Sequence, residues 1–240
     1  MMVSFVIADY THSKLKRLNE KFTVTDSVTV GGNPYSVCRI GQNEVATYIC
    51  GKGHIQIVSL GKTIQLASTI NISNFNDPVG VCYDTTFDAI MLCESNKISV
   101  YSKSGNLIKT LEKDKNGDQL FTEARQVAMN KNNQLMFVSN GKGNNVKALT
   151  RDGEIVWTFS DPALQRPWGV CILPDDIILV SGLSSHNLLQ VNKKGEMINE
   201  LLGASEQLQG PLALAFDKRS CRLLVGSHSN ELRVYTLSKT

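Results

Sequence analysis

The sequence predicts an all-β fold, a β-propeller of six blades with four antiparallel strands in each, and three observations carry that expectation. A unit recurs about every 44 residues, each unit holds four short strand-like runs, and the middle runs are apolar on both faces. The period is visible in the prolines of Pro34-Tyr35-Ser36-Val37-Cys38, Pro78-Val79-Gly80-Val81-Cys82, Pro167-Trp168-Gly169-Val170-Cys171 and Pro211-Leu212-Ala213-Leu214-Ala215, spaced 44, 89 and 44 apart. Halving the long interval points to residue 122, and Arg125-Gln126-Val127-Ala128-Met129 fills that place without a proline.

The second run of each unit is Glu44 to Ile49, Ala89 to Leu92, Gln134 to Val138, Ile177 to Val180 and Arg222 to Val225. A turn of Gly, Asn, Ser or His leads into a third run: Ile55 to Val58, Ile98 to Tyr101, Leu188 to Val191 or Leu232 to Tyr235. A further turn, Lys103-Ser104-Gly105, Arg151-Asp152-Gly153 or Lys193-Lys194-Gly195, precedes a fourth run such as Asn106 to Leu111 or Glu154 to Phe159. Each unit therefore reads as a meander, and short, evenly spaced strands suit blades whose edges are brief and protected. A β-sandwich explains the fixed period badly.

Phe5 to Asp9, Leu15 to Leu18 and Thr23 to Val30 match strands two, three and four of a first unit, and the last unit has no place for its fourth strand before Thr240. The expectation is one domain over residues 1–240, with repeat frames near 1–32, 33–76, 77–123, 124–165, 166–209 and 210–240, incomplete terminal blades, twenty-two strands, and a chain cut from a longer protein.

Composition sets outer limits. Apolar residues form 42% of the chain, enough to build a core, and a formal charge of +3 is too small for a dedicated nucleic-acid field. The start has no basic segment followed by a signal-length apolar run, and no stretch approaches 18 apolar residues, so a cytoplasmic location without membrane association is expected. Six cysteines, at 38, 50, 82, 93, 171 and 221, form no C-x-x-C pair and read as reduced thiols. Cys38, Cys82 and Cys171 share one repeat position on the first strand and read as small core residues.

The Pro-x-Gly before the first strand, the strand ending at Ala8-Asp9 and the turn from Ser102 to Ile108 resemble an NHL repeat. The texture of Ile7 to Lys16, and of Arg151 through Val170, is similar to the C-terminal propeller of tripartite-motif (TRIM) proteins. That resemblance implies a substrate-recognition module of an E3 ubiquitin ligase, binding protein or RNA, with the ligase activity in upstream segments. The aspartate of Asp9 is replaced at matching positions by Cys50, Glu94, Asn140, Gly182 and Ser227.

His12, His54, His186 and His228 fall between strands two and three, and in a propeller those turns share a rim with the turns before strand one. Their separation on different blades argues against a metal ring, and their tolerance of left-handed turns explains the pooling. The same rim is expected to carry Tyr10, Tyr35, Lys52, Arg125, Lys142, Arg166 and Trp168, and aromatic and Arg residues dominate binding hot spots. Gly51-Lys52-Gly53 and Gly141-Lys142-Gly143 read as hairpin turns, since neither continues into a phosphate-loop motif. Glu112 through Glu123 spaces oxygen donors like a calcium loop, yet opens on Glu and has Gln119 where an apolar residue belongs; a solvated insertion is expected.

No nucleophile elbow, zinc-helix or Walker motif is present, so no catalytic residue, metal or cofactor is assigned. The expected function is non-catalytic recognition of a protein partner. Single-stranded RNA binding on the same face is the first alternative. A lactonase-like propeller hydrolase is the second, although Pro-Val-Gly and Pro-Trp-Gly stand where such enzymes often show Pro-Asn-Gly.

Overall fold

The computed structural model describes residues 5–73, 77–130, 132, 134–228 and 231–237. The outermost ends of the first and last repeat frames, at Met1 to Ser4 and Ser238 to Thr240, lie outside the described residues. The fold is an all-β propeller of six blades, and the chain divides into two compact units, Met1–Thr110 and Leu111–Thr240.

The first unit holds three antiparallel sheets. Blade one is β1 (Phe5–Asp9), β2 (Lys14–Leu18) and β3 (Val24–Thr29). Blade two is β4 (Pro34–Arg39), β5 (Glu44–Ile49), β6 (His54–Leu60) and β7 (Ile64–Asn71). Blade three is β8 (Gly80–Asp84), β9 (Ala89–Cys93), β10 (Ile98–Ser102) and β11 (Leu107–Leu111), at whose end the division falls.

The second unit continues with blade four: β12 (Ala124–Met129), β13 (Leu135–Asn140), β14 (Asn145–Thr150) and β15 (Ile155–Ser160). Blade five is β16 (Pro167–Ile172), β17 (Ile178–Gly182), β18 (Asn187–Val191) and β19 (Met197–Leu202). Blade six is β20 (Pro211–Asp217), β21 (Arg222–Ser227) and β22 (Leu232–Thr236). The strands number twenty-two among the described residues, and helix is confined there to the single turns Pro174–Asp176 and Ala204–Glu206. None is long and apolar enough to cross a membrane.

Middle strands are buried on both faces: all five residues of β9 and of β17 are inaccessible, whereas β7 and β19 face solvent along most of their length. Consecutive blades within a unit therefore share cores. In the first unit, Tyr48, Ile55 and Ile57 of blade two pack with Val81, Ile90, Leu92 and Tyr101 of blade three. In the second, Phe137, Val146 and Ala148 pack with Val170, Ile178 and Val180.

Cys38, Cys82 and Cys171 lie on first strands, as their repeat position implied, and are half-buried free thiols. Burial pushes the Cys171 thiol up to about 12 and raises Cys38 well above its ordinary value, with Cys82 adding to the latter.

Two devices bind blades within a unit. Where β16 enters its sheet, Pro167 faces Gly182 and Val170 faces Val180, so an extra residue is inserted as a bulge between them. The Gly169 N–H donates to the buried Ser181 Oγ at 2.8 Å, and a Cβ at 169 would come within 2.5 Å of the Leu212 carbonyl on β20. Glycine is needed there for the close approach of the next blade. Register shifts also occur at Pro34/Val37, Ala124/Val127 and Pro211/Ala213, while blade three pairs without one.

The second device is the turn into the fourth strand. Gly105, Gly153 and Gly195 take φ of +85°, +88° and +84°, and Gly105 and Gly195 are each pressed against the outer strand of the preceding blade in their own unit. A Cβ would lie 2.2 Å from the Asn71 carbonyl, 3.2 Å from Leu111 and 2.7 Å from the Trp157 ring, respectively. Trp157 Nε1–H also donates to the Lys193 carbonyl at 3.0 Å.

The Glu112–Glu123 segment corrects the expectation of a solvated insertion. Its tip is exposed, but Leu120 and Phe121 are fully buried core residues. Within it, Asp114 Oδ1 accepts from the N–H groups of Asn116 and Asp118, and Glu123 turns to Arg125.

Phe137, 1% exposed and 5.6 Å from the Trp157 ring, anchors the blade-four core. Phe137→Ala is expected to cost about 3–5 kcal/mol in chemical denaturation. Ile198→Ala, at a 48% exposed outer-strand position, should change stability by less than about 0.5 kcal/mol.

Candidate recognition site

A meander returns on itself, so the entry to a blade's first strand and the turn after its second strand lie at the same end of the sheet. The pairings Pro34↔Ile49, Ala124↔Asn140, Pro167↔Gly182 and Pro211↔Ser227 show this blade by blade. The rim residues expected from sequence accordingly fall at these sheet ends within each unit.

In the first unit the Tyr10 and Tyr35 rings meet at 4.7 Å, tilted by 45°, with 42% and 46% of their surface exposed. Beside them, Asp9 receives His12 Nδ1 at 2.9 Å, the His12 N–H at 3.1 Å and the Lys16 ammonium. Burial pushes the Asp9 carboxyl up, but the Lys16 and His12 contacts outweigh it and hold it at about 2. Lys52 is exposed on its hairpin turn, whose Gly51 and Gly53 both take φ of +66°. His54 opens β6 opposite Ile49 and joins none of these groups.

In the second unit three expected residues converge on Glu123, the last position of the calcium-like spacing, and a fourth, Trp168, stacks on one of them. The Arg125 guanidinium lies over the Trp168 ring, 4.1 Å from its centroid, and ion-pairs with Glu123. Lys142 Nζ and Arg166 Nε stand 4.0 Å from the two oxygens of the same carboxylate. Glu123 is itself pinned through its backbone: its N–H donates to Asn140 Oδ1 at 2.9 Å and its carbonyl accepts from the Gly141 N–H at 2.8 Å. Asn140 Oδ1 also takes the Thr122 N–H and hydroxyl, each at 3.0 Å. Arg166 is held at φ +52° with its N–H on Asn144 Oδ1 at 2.8 Å, and the buried Ser139 hydroxyl donates to the Trp168 carbonyl.

His186 and His228 have a different role. His186 Nδ1 accepts the Gly210 N–H at 2.9 Å, and the Gly210 carbonyl accepts the His228 N–H at 3.4 Å. Of the four histidines only His186 adopts a left-handed backbone, with φ of +57°, so turn tolerance does not account for the other three.

No protein-family model and no curated protein matches this sequence. Solved structures match in shape. A virginiamycin B lyase from Staphylococcus aureus superposes with a TM-score of 0.69 at 13% identity, covering 99% of this chain and 82% of the other. A streptogramin B lyase gives 0.71 at 12% identity, covering 99% and 80%. A functionally unknown protein from Desulfotomaculum acetoxidans gives 0.68 at 11% identity, covering 97% and 75%. At such identities the likeness shows the fold.

The signal that could have exposed Glu123 was its spacing. It lies two residues before Arg125 at the entry to β12, where alternation puts both side chains on one face.

The Asp9 pKa has a stability consequence. Because folding lowers it, the contribution is present above the unfolded-state value and lost as pH falls from about 4 to about 2. Asp9→Asn should remove that segment of the acid titration and cost about 1 kcal/mol at neutral pH, solvent screening keeping the figure modest. Urea unfolding of both proteins across this pH range is the measurement.

Proposed function

We propose that this chain is a recognition module that captures a protein partner through the Arg125–Trp168 cluster of its second unit. One observation carries the reading: a guanidinium stacked on an indole, braced by a carboxylate that is 92% buried by its 8% side-chain exposure. Such a pair is rigid before any ligand arrives, and preorganised Trp and Arg side chains lose little freedom on binding. Arg166 adds support, since a non-glycine residue at positive φ is a cost that functional sites commonly carry.

The NHL-like repeat texture supports a finer reading, in which the module selects substrates for a TRIM-type E3 ubiquitin ligase in the cytoplasm. RNA is the lesser ligand class, because +3 over 240 residues is a weak field for phosphates. An enzymatic reading draws on the shape shared with the two lyases. It would have to recruit groups already engaged, with His12 on Asp9 and His186 on the Gly210 N–H. A lactonase-like hydrolase would meet the same constraint.

Trp168→Ala combined with Arg166→Ala should abolish capture of the partner from a cell extract and leave the melting curve cooperative, since each truncated hot spot typically costs about 2 kcal/mol or more. Capture should weaken little between low and moderate salt, whereas an RNA complex would weaken steeply. Undiminished capture by the double variant would remove the cluster from consideration.

A further inference from the structure

The charges around Glu123 do not balance. Three cations, Arg125, Lys142 and Arg166, share one carboxylate within 4.0 Å, leaving a local excess of two positive charges. Arg125 is committed, since it pairs with Glu123 and covers the Trp168 face. The other two are not clasped: 4.0 Å is beyond hydrogen-bond length, and the Lys142 and Arg166 side chains are 69% and 48% exposed. Meanwhile Glu123 Oε2, although buried, accepts no hydrogen bond. The carboxylate therefore attracts Lys142 and Arg166 without using up their donors, and their N–H groups remain available to an incoming anion.

Building on the recognition reading above, we propose that the ligand is an acidic peptide: one carboxylate side chain bound by Arg166 and Lys142, with an adjoining apolar side chain resting beside Trp168. The geometry favours a single anion. Glu123 beneath the two cations repels any second negative group that approaches the base, and a nucleic-acid strand needs a row of phosphate contacts rather than one. Trp168 is half-buried, so it offers an apolar surface next to the charge. Charge-assisted hydrogen bonds from Arg to a carboxylate are among the stronger polar contacts available to a peptide.

The chain has two tryptophans, which makes the test direct. The full chain, labelled with nitrogen-15, is titrated with the blocked peptide acetyl-Gly-Glu-Phe-Gly-amide, with its Gln counterpart and with a uridine oligonucleotide. The Trp168 indole N–H is the reporter. The Trp157 indole, tied to the Lys193 carbonyl, is the internal reference and the check on folding.

The Glu peptide should give a saturable shift of Trp168 alone, and the Gln peptide should bind about tenfold more weakly, the loss of one charge-assisted contact. Lys142→Ala, an exposed change that spares the fold, and Arg166→Ala should each bring the Glu peptide toward the affinity of the Gln peptide. Equal affinity for the two peptides would overturn the acidic requirement and leave the recognition reading standing. Saturation by the oligonucleotide alone, or by neither peptide, would overturn the peptide assignment; partner capture by the double variant separately decides whether the cluster binds anything.

Discussion

A sheet whose middle strands are apolar on both faces cannot stand alone in water, and the architecture depends on that constraint. Burying Ala89–Cys93 or Ile178–Gly182 on two sides requires a second sheet against each face. The shared cores of blades two and three, and of blades four and five, are the direct result. Apolar area is the main favourable term and is non-directional. Alignment is therefore set by something more specific: hydroxyls such as Ser181 Oγ at the bulges, and glycines that admit the neighbouring backbone.

The candidate site uses the ends of those strands. Once β12, β13 and β16 are held in place by packing, Glu123, Arg125, Asn140 and Trp168 have little freedom left. The arrangement is costly in isolation, since burying Glu123 requires paired cations and leaves one oxygen without a hydrogen-bond partner. Sites that keep such a cost commonly exchange stability for a fixed geometry. The same polarity is absent from the Tyr10–Tyr35 pair, where two exposed rings meet beside a satisfied Asp9–Lys16–His12 cluster.

Much of the architecture was legible in the sequence because its signals are local. Runs such as Glu44 to Ile49 are bounded by turn residues, and the strand ends fell within a residue or two of the structure. Pro-x-Gly marked where first strands begin, yet it did not disclose the bulge, which blade four makes without proline and blade three omits despite having one. Site geometry was less legible. Residue type alone points to Trp168, Arg125, Arg166 and Lys142, but the carboxylate shared by the three cations reads in sequence as the last position of a metal loop. Asn140 was noted as a departure from the repeat, and its grip on Thr122 and Glu123 is a long-range contact that no local pattern encodes. His186 shows the opposite error, a polar side chain that serves its own neighbour's backbone.

The turn glycines at 105 and 195 have a mechanical implication. Gly105 and Gly195 each press a turn of one blade against the outer strand of the blade before it, at Asn71 and Trp157. The outer edges of blades two and three, and of blades four and five, are thus each stitched at one turn, while the strands beside the stitch lie largely in solvent. Load applied along such an edge concentrates at individual stitches instead of spreading over the sheet. The strength of each seam is then set by its stitch, and the Trp157 indole with its hydrogen bond to Lys193 adds a second fastening to the seam at Gly195.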